Sequence, residues 1–423
     1  MKLWSCGGRL TIERVNMWFG GYVMTIPAMA GSLTTIAYYC VAIWALMNAT
    51  VRRYTLQVPR RALPFIGSAL FLFAVMCVTG LIADNSDRLP RAIMSLLPLA
   101  LVAVVIARFR HAGSFETWQM ALTYAPLGAA GALAGTLIAG SQSGGAGNPN
   151  VFGLAMTVLA AFSLAGIFGA TRRDRLLGAA GYACAAAGVI VSDSRTMLVA
   201  VGILPLILLA ASGGVRWRTI GLGAIGAAVL LVAFQSRIVS QLSTVIREID
   251  LVDADVHSSS IGVRFKLWQA AWDAGLSSPF VGHGLQNKMQ VVVDHIDDTL
   301  SWITFSHVHN AYLDAFVAGG FLGTLGLLML FLSPLLMVFG FKDEARDRRF
   351  VAIALVATFL LQGTTANFLT HDLIVVLFAL PLALVAACDP QTRDMILLRQ
   401  REAVPAADTV AGAGSNQASS RAV

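Results

Sequence analysis

Charged residues are scarce in this chain of 423 residues. Asp, Glu, Lys and Arg make up only 13% of it, 57% is hydrophobic, and the mean hydropathy is +0.72. A soluble domain carries about 25% charged residues, so most of this chain must lie in hydrocarbon. This composition excludes a soluble enzyme, a nucleic-acid-binding module and a disordered scaffold.

Cysteine is also rare. The five cysteines lie in apolar segments or near a terminus, and no Cys-x-x-Cys pair occurs. We therefore expect neither a structural disulfide nor a cysteine-ligated metal.

Long apolar runs are abundant, and each is long enough to cross about 30 Å of hydrocarbon. They predict an all-α polytopic membrane protein with about twelve transmembrane helices, at 16–31, 33–50, 63–83, 89–107, 117–140, 151–170, 176–192, 196–212, 219–236, 311–340, 350–364 and 370–387. The predicted organisation is helices 1–9 over 1–236, a loop with interfacial helices over 237–310, helices 10–12 over 311–389 and a disordered tail over 390–423.

Most of the basic residues follow alternate spans, as Arg52 and Arg53 do after the second. This distribution predicts that both termini are cytoplasmic and that the large loop lies on the opposite side. Ala28-Met29-Ala30 resembles a signal-peptidase site, so the first span is alternatively a cleaved signal. Its removal would leave the orientation of the later spans unchanged.

The large loop contains a segment with helical spacing, 261–276. Phe265, Trp268, Trp272 and Leu276 share one stripe, which is typical of a helix lying at the membrane interface. A lid helix packed on the bundle is the alternative.

Six of the seven histidines fall on the side of the large loop, which suggests proton transfer or metal binding. For any single histidine, a solvated side chain is the alternative. His307 and His309 directly precede Asn310, which can cap the helix that follows. The positive end of that helix opposes imidazolium formation, so we expect His309 to be neutral and able to accept a proton.

Two arginines, Arg195 and Arg264, stand apart from the cytoplasmic set. Guanidinium groups suit bidentate contacts with phosphate, although either residue could instead anchor a headgroup or pair with an acid such as Asp193. The turn between the fifth and sixth spans carries Asn148 and Asn150, whose amides could contact a headgroup or a sugar. By itself it is only a turn.

In order along the chain, these motifs resemble the O-antigen ligase and O-antigen polymerase superfamily of bacterial inner-membrane glycosyltransferases. The matching segments are Gly147-Asn148-Pro149-Asn150, Ser194-Arg195, Arg264 with Trp268, Pro279-Phe280-Val281-Gly282-His283-Gly284, His309-Asn310 with Leu313, and Gly320-Phe321-Leu322-Gly323. Each is short, and their order together with the position of the large loop carries the resemblance over most of the chain.

The resemblance implies a membrane-embedded glycosyltransferase of the GT-C-like type in the inner membrane of a Gram-negative bacterium, with its site facing the periplasm. It implies transfer of O-antigen from an undecaprenyl-pyrophosphate donor to a hydroxyl of the lipid A core, inverting and without a metal or other cofactor. By similarity, Arg195 and Arg264 hold the diphosphate and His309 is the general base. Further substrate contacts are expected from His307, Asn310, Asn148, Asn150 and Ser194.

Other functions fit parts of the sequence. An O-antigen polymerase or a protein O-oligosaccharyltransferase of the same superfamily differs in its acceptor, for which no motif is readable. A lipid-linked glycan transporter is a more distant alternative, because the spans carry few ionisable residues. A metal enzyme would use Asp253-Ala254-Asp255 or His307 with His309, but such acidic motifs serve nucleotide sugars, which are cytoplasmic.

Overall fold

The computed structural model describes residues 19, 21–22, 25–52, 57–83, 89–111, 113–211, 235–236, 239–240, 243–244, 260–296, 305–340 and 345–389. Within these ranges the regular structure is helical throughout. The α-helices are α1 (Gly31–Arg52), α2 (Leu63–Ile82), α3 (Leu89–His111), α4 (Ser114–Ala139), α5 (Pro149–Ala165), α6 (Arg172–Val191), α7 (Arg195–Ala211), α8 (Ser260–Ser277), α9 (Lys288–Asp294), α10 (Ala311–Phe339), α11 (Arg346–Gly363) and α12 (Asp372–Ala387). Short 3-10 turns lie at Arg60–Ala62, Gly144–Ala146 and Gly166–Phe168.

Six helices in the described ranges are long and apolar enough to cross a membrane, and three shorter helices are also apolar. The predicted class, an all-α membrane protein with several spans, is therefore confirmed. Helices α1 to α7 and α10 to α12 each overlap a predicted span. The predicted span at 219–236 lies largely outside the described residues, and the predicted tail lies wholly outside them. The predicted span at 16–31 is described only in part, at 19, 21–22 and 25–31, so the number of spans stays a prediction.

Helix α5 forms the centre of the bundle. Its start is fixed by Asn148, whose side chain accepts a hydrogen bond from the backbone N–H of Asn150 at 2.8 Å, with Pro149 in the first turn. Every residue from Val151 to Ala165 is buried, because α4, α6, α7 and α11 pack around the helix.

Small residues let α10 approach α2 closely. Gly319, Gly323 and Gly326 face Met76 and Leu72 of α2, and a Cβ atom at Gly323 would lie only 2.9 Å from the Met76 methyl group. The helix also has an interruption at Gly320, whose φ is +61°.

The loop that follows α8 binds the backbone of α10 at this interruption. The N–H groups of His283 and Gly284 donate to the carbonyls of Val317 and Ala318 at 2.8 and 2.9 Å. The N–H of Phe321 donates in turn to the Pro279 carbonyl at 2.7 Å. These bonds fasten the described part of the large loop to α10.

Helix α8 forms nearly where the sequence predicts it. One face packs on α10 through the buried residues Leu267, Ala271 and Ala274. The other face is apolar yet open, with Phe265 56% and Trp272 49% exposed. The helix thus combines the two predicted arrangements: it packs on the bundle and presents an apolar stripe of the kind that lies in a membrane interface.

Candidate active site

Two imidazole rings lie in contact just before α10. The centroids of His307 and His309 are 4.0 Å apart, with the ring planes inclined by 51°. Asn310 caps the helix as predicted, since its side-chain oxygen accepts from the N–H groups of Tyr312 and Leu313 at 3.0 and 3.2 Å. His309 itself has a positive φ of 56°, so the chain turns sharply as it enters the helix.

Helix α8 holds this segment in place and supplies an arginine beside it. The indole N–H of Trp268 donates to the Val308 carbonyl at 3.1 Å, and Val308 is fully buried. Arg264 lies one turn earlier on α8, and its charge acts on both His307 and His309. Arg264 and the histidine pair are therefore neighbours, although 43 or more residues separate them in the sequence.

His309 is a neutral imidazole at physiological pH. Burial lowers its pKa to about 4, and the nearby His307 and Arg264 act in the same direction. A neutral His309 is predicted from the sequence through the positive end of the helix, whereas burial is the main cause in the structure. A neutral imidazole can accept a proton from an alcohol.

His307 lies among several charged groups. Burial lowers its pKa, Asp314 opposes this shift, and Lys288, His371 and Arg264 add to it. The hydroxyl of Ser306 lies 2.8 Å from the ring nitrogen Nδ1 of His307. We call Arg264, His307 and His309 the histidine site.

A buried ion pair adjoins the histidine site. Lys288 of α9 binds Asp314 of α10, and the two side chains are only 2% and 0% exposed. Burial lowers the pKa of Lys288, although Asp314 opposes this shift. The second carboxylate oxygen of Asp314, Oδ1, is buried without a hydrogen-bond partner among the described residues.

The sequence analysis did not assign Lys288, Asp314 or His371 to the site. Asp314 carried the clearest signal, because an ionisable residue within an apolar span is expensive and usually functional. The pairing of Lys288 with Asp314 joins two elements 26 positions apart. No local sequence pattern indicates such a contact.

Arg195 occupies a neighbouring part of the same end of the bundle. It is the first residue of α7 and is exposed. The hydroxyl of the adjacent Thr196 lies 2.7 Å from that of Thr365, at the start of the segment between α11 and α12. That segment ends at His371, whose charge acts on His307.

The remaining predicted contact residues have local structural roles. Asn148 caps α5 by accepting a hydrogen bond on its side-chain oxygen from the backbone N–H of Asn150, which is the exposed second residue of that helix. Ser194 is only 4% exposed and faces Gly153. These residues lie on the side of Arg195, whereas Asn310 lies beside the histidine pair.

Two other histidines of the large loop do not belong to the histidine site. The ring nitrogen Nε2 of His283 lies 2.9 Å from the Ala274 carbonyl and 3.0 Å from the Ser277 hydroxyl, so it fastens the turn after α8. His295 is exposed and bonds to the Val291 carbonyl within α9's last turn. His257 and the Asp253-Ala254-Asp255 motif lie outside the described residues.

Within the described ranges, no group of three His, Cys, Asp or Glu side chains is arranged to hold a metal ion. A cavity of about 330 Å³ lies at the other end of the bundle and is lined by Gln57, Val58, Pro59, Arg60, Arg61, Arg110 and Asp389. None of the predicted site residues lines this cavity.

The helices and the histidine site together define a multi-pass helical membrane protein whose polar chemistry is concentrated at one end of the bundle. Residues 180–328 match the family model described as O-antigen ligase, which confirms the resemblance drawn from the motifs. The matched part contains Arg195, Arg264, His307 and His309.

A second comparison extends over a shorter stretch. An uncharacterised protein of Haemophilus influenzae is 23% identical over 133 residues, which make up 29% of this chain and 33% of that protein. The chain thus matches about a third of the length of this relative.

Proposed function

We propose that the protein is a glycosyltransferase that moves O-antigen from an undecaprenyl-pyrophosphate donor to a sugar hydroxyl of the lipid A core, on the periplasmic face of the inner membrane. The observation that carries this proposal is the contact between a neutral His309 and His307 beside Arg264. The family match over 180–328, which contains all three residues, supports it.

In the proposed reaction, His309 takes the proton of the acceptor hydroxyl. The hydroxyl oxygen forms a bond to the anomeric carbon of the donor sugar, and the bond from that carbon to the diphosphate oxygen breaks. The electron pair leaves with the diphosphate, and attack opposite the leaving group inverts the anomeric centre. The donor supplies the driving force, so no cofactor takes part.

Arg264 and Arg195 are proposed to hold the diphosphate. Their guanidinium groups would neutralise the charge that develops on the leaving group, and one such donor is typically worth about 10²–10³ in rate. Arg264 lies beside the imidazoles. Arg195 lies at the same end of the bundle, where the neighbouring Thr196 contacts Thr365 in the segment that ends at His371. His307, Asn310, Asn148 and Asn150 are proposed to contact substrate. Ser194, being buried, would act by holding the start of α7.

A strain that lacks the gene tests the choice of acceptor. A ligase mutant leaves bare lipopolysaccharide core on a gel and accumulates lipid-linked polymer, which is the expected result. Core that carries a single repeat would instead indicate a polymerase, and intact lipopolysaccharide with unmodified protein targets would indicate a protein O-oligosaccharyltransferase. Reconstituted vesicles that move the glycan across the bilayer without changing its linkage would indicate a transporter.

A further inference from the structure

The buried Lys288–Asp314 pair carries a large free-energy cost for a contact that would serve only to hold the fold together. Both side chains are buried, and removal of two charges from water is repaid only when each group finds good partners. Here one carboxylate oxygen, Oδ1 of Asp314, has no hydrogen-bond partner among the described residues. A buried acceptor in that state is expensive, so it calls for an explanation.

The position of the Lys288–Asp314 pair relative to the histidines suggests an explanation for this buried acceptor. Asp314 follows His309 by five residues, and its N–H donates to the Asn310 carbonyl at 2.9 Å in the first turn of α10. The carboxylate therefore stands on the helix turn that begins at the histidine pair. Lys288 reaches it from α9, which the loop bonds at His283 and Gly284 fix against α10.

The charges around His307 are unequal in sign. Among the described groups that act on it, Asp314 alone favours the protonated imidazole, while Lys288, His371 and Arg264 disfavour it. His309, in ring contact, brings no negative charge. A positive charge that arises on His307 would thus be offset mainly by Asp314.

Resting on the proposed function, we propose that the Lys288–Asp314 pair is a positioning element of the transfer reaction. Asp314 supplies the negative charge that faces the histidine pair when it takes up the acceptor's proton. Lys288 holds that carboxylate in place through their contact. The oxygen Oδ1 of Asp314, which is buried and has no hydrogen-bond partner among the described residues, is then the acceptor for a proton donor that arrives with the acceptor substrate or by way of a water molecule.

The test uses the full-length protein purified in detergent, with two readouts. Diethyl pyrocarbonate modifies neutral imidazoles, so its rate at His307, followed by peptide mass spectrometry across a pH series, gives the midpoint at which that histidine titrates. Transfer of a labelled glycan from donor to acceptor gives the rate. The first readout needs no activity, so it tests the pair even if the protein transfers no glycan, an outcome that would refute only the proposed function.

The decisive variant is the double change Lys288→Met with Asp314→Asn, which leaves no single buried charge behind. Asp314 acts on His307 more strongly than Lys288 does, so we expect the midpoint of His307 to move to lower pH. We expect the transfer rate to fall by about 10–100-fold, as when a group that orients a functional histidine is removed. A folded double variant with the midpoint and the rate of the unchanged protein would overturn the proposal.

Two further variants keep the test decisive if the double variant does not insert. Asp314→Glu retains the charge and should keep the midpoint of His307, whereas Asp314→Asn should lower it. Equal midpoints in these two proteins would overturn the proposal. The matched control is Asp347→Asn, because Asp347 accepts a 2.7 Å hydrogen bond from the buried Trp118 at the other end of the bundle. That variant should lose stability without changing the midpoint.

Discussion

The two ends of the bundle bury cationic side chains in different ways. At the end where α2 begins and α12 ends, which we call the arginine end, Arg61 donates to the carbonyls of Val385 and Ala386 at 2.8 and 3.2 Å. Arg108 lies over the ring of Trp44, with 4.9 Å from its guanidinium carbon to the ring centroid. Each of these cations is satisfied by a helix end or an aromatic face, which is a structural use.

At the end that carries the histidine site, the polar groups are less well satisfied. Two imidazoles have pKa values lowered by burial, and one carboxylate oxygen of Asp314 has no hydrogen-bond partner in the part of the chain that the structure describes. Strongly perturbed ionisable groups in one cluster are typical of a functional site rather than a structural contact. The two ends show that a large number of charged side chains does not by itself indicate a functional site in this protein. The arginine end has more cationic side chains, whereas the histidine end has the ionisable groups whose burial is energetically unfavourable.

The largest expected effect is that of His309→Ala. Loss of a general base costs about 10²–10⁴ in rate, so O-antigen should be absent from the lipopolysaccharide of a strain that carries this variant. The matched control is His295→Ala, since His295 is exposed and outside the histidine site. If a strain with a well-inserted His309→Ala protein made wild-type lipopolysaccharide, His309 would not be the general base of the reaction.

Arg264→Ala should have the next largest effect, a loss of about 10²–10³ in transfer rate for a diphosphate donor. Arg264→Lys should recover only part of it, because an ammonium group lacks the planar fork of a guanidinium. Transfer rates measured with purified proteins at several donor concentrations check both. If Arg264→Ala matched the unchanged protein, the diphosphate would have to be held elsewhere.

The titration of His309 predicts how the transfer rate and the stability of the protein depend on pH. With its pKa near 4, His309 stays neutral across the physiological range, so the rate should fall only as the pH approaches 4. The stability follows a related rule. An unfolded histidine titrates near 6.5, so between pH 6.5 and 4 the unfolded chain binds the proton first and the folded state loses stability.

Melting temperatures in detergent from pH 8 to pH 4 check this linkage. The loss on acidification should be smaller in His309→Ala than in the unchanged protein, because the variant lacks that group. An equal loss in both proteins would mean that His309 titrates normally when folded.

Arg61→Ala should have the opposite profile to the site variants. It removes charged hydrogen bonds to two helix-end carbonyls, so we expect a loss of about 1.5–3 kcal/mol in stability. The transfer rate per folded molecule should not change. A large loss of rate at unchanged melting temperature would assign the arginine end a role in the reaction.

The smallest expected effect is that of metal removal. Arg264 acts on both histidines and Lys288 acts on His307, and such cations disfavour the approach of a divalent ion. Transfer by the purified protein should therefore persist in EDTA. If activity vanished in EDTA and returned with a divalent ion, the arginine mechanism would be wrong.

The sequence predicts those features that depend on neighbours along the chain. Helix α8 follows from its apolar spacing, and the cap at Asn310 follows from the residue type just before an apolar run.

What the sequence does not predict depends on how distant segments pack. Lys288 meets Asp314 only because the loop after α8 pairs with the interrupted backbone of α10 at Gly320. His371 acts on His307 although 64 positions separate them in the sequence, because the segment that ends at His371 folds back toward the histidine pair. Ser194, predicted as a substrate contact, is buried because α7 starts against Gly153.

The most direct test compares the two ends in one assay. Purified His309→Ala and Arg61→Ala proteins, matched for folded amount, are given undecaprenyl-pyrophosphate-linked glycan and lipid A core, and transfer is measured in a single turnover. We expect Arg61→Ala to transfer at the rate of the unchanged protein and His309→Ala to transfer nothing measurable above background. Equal transfer by the two variants would contradict the assignment of the reaction to the histidine end.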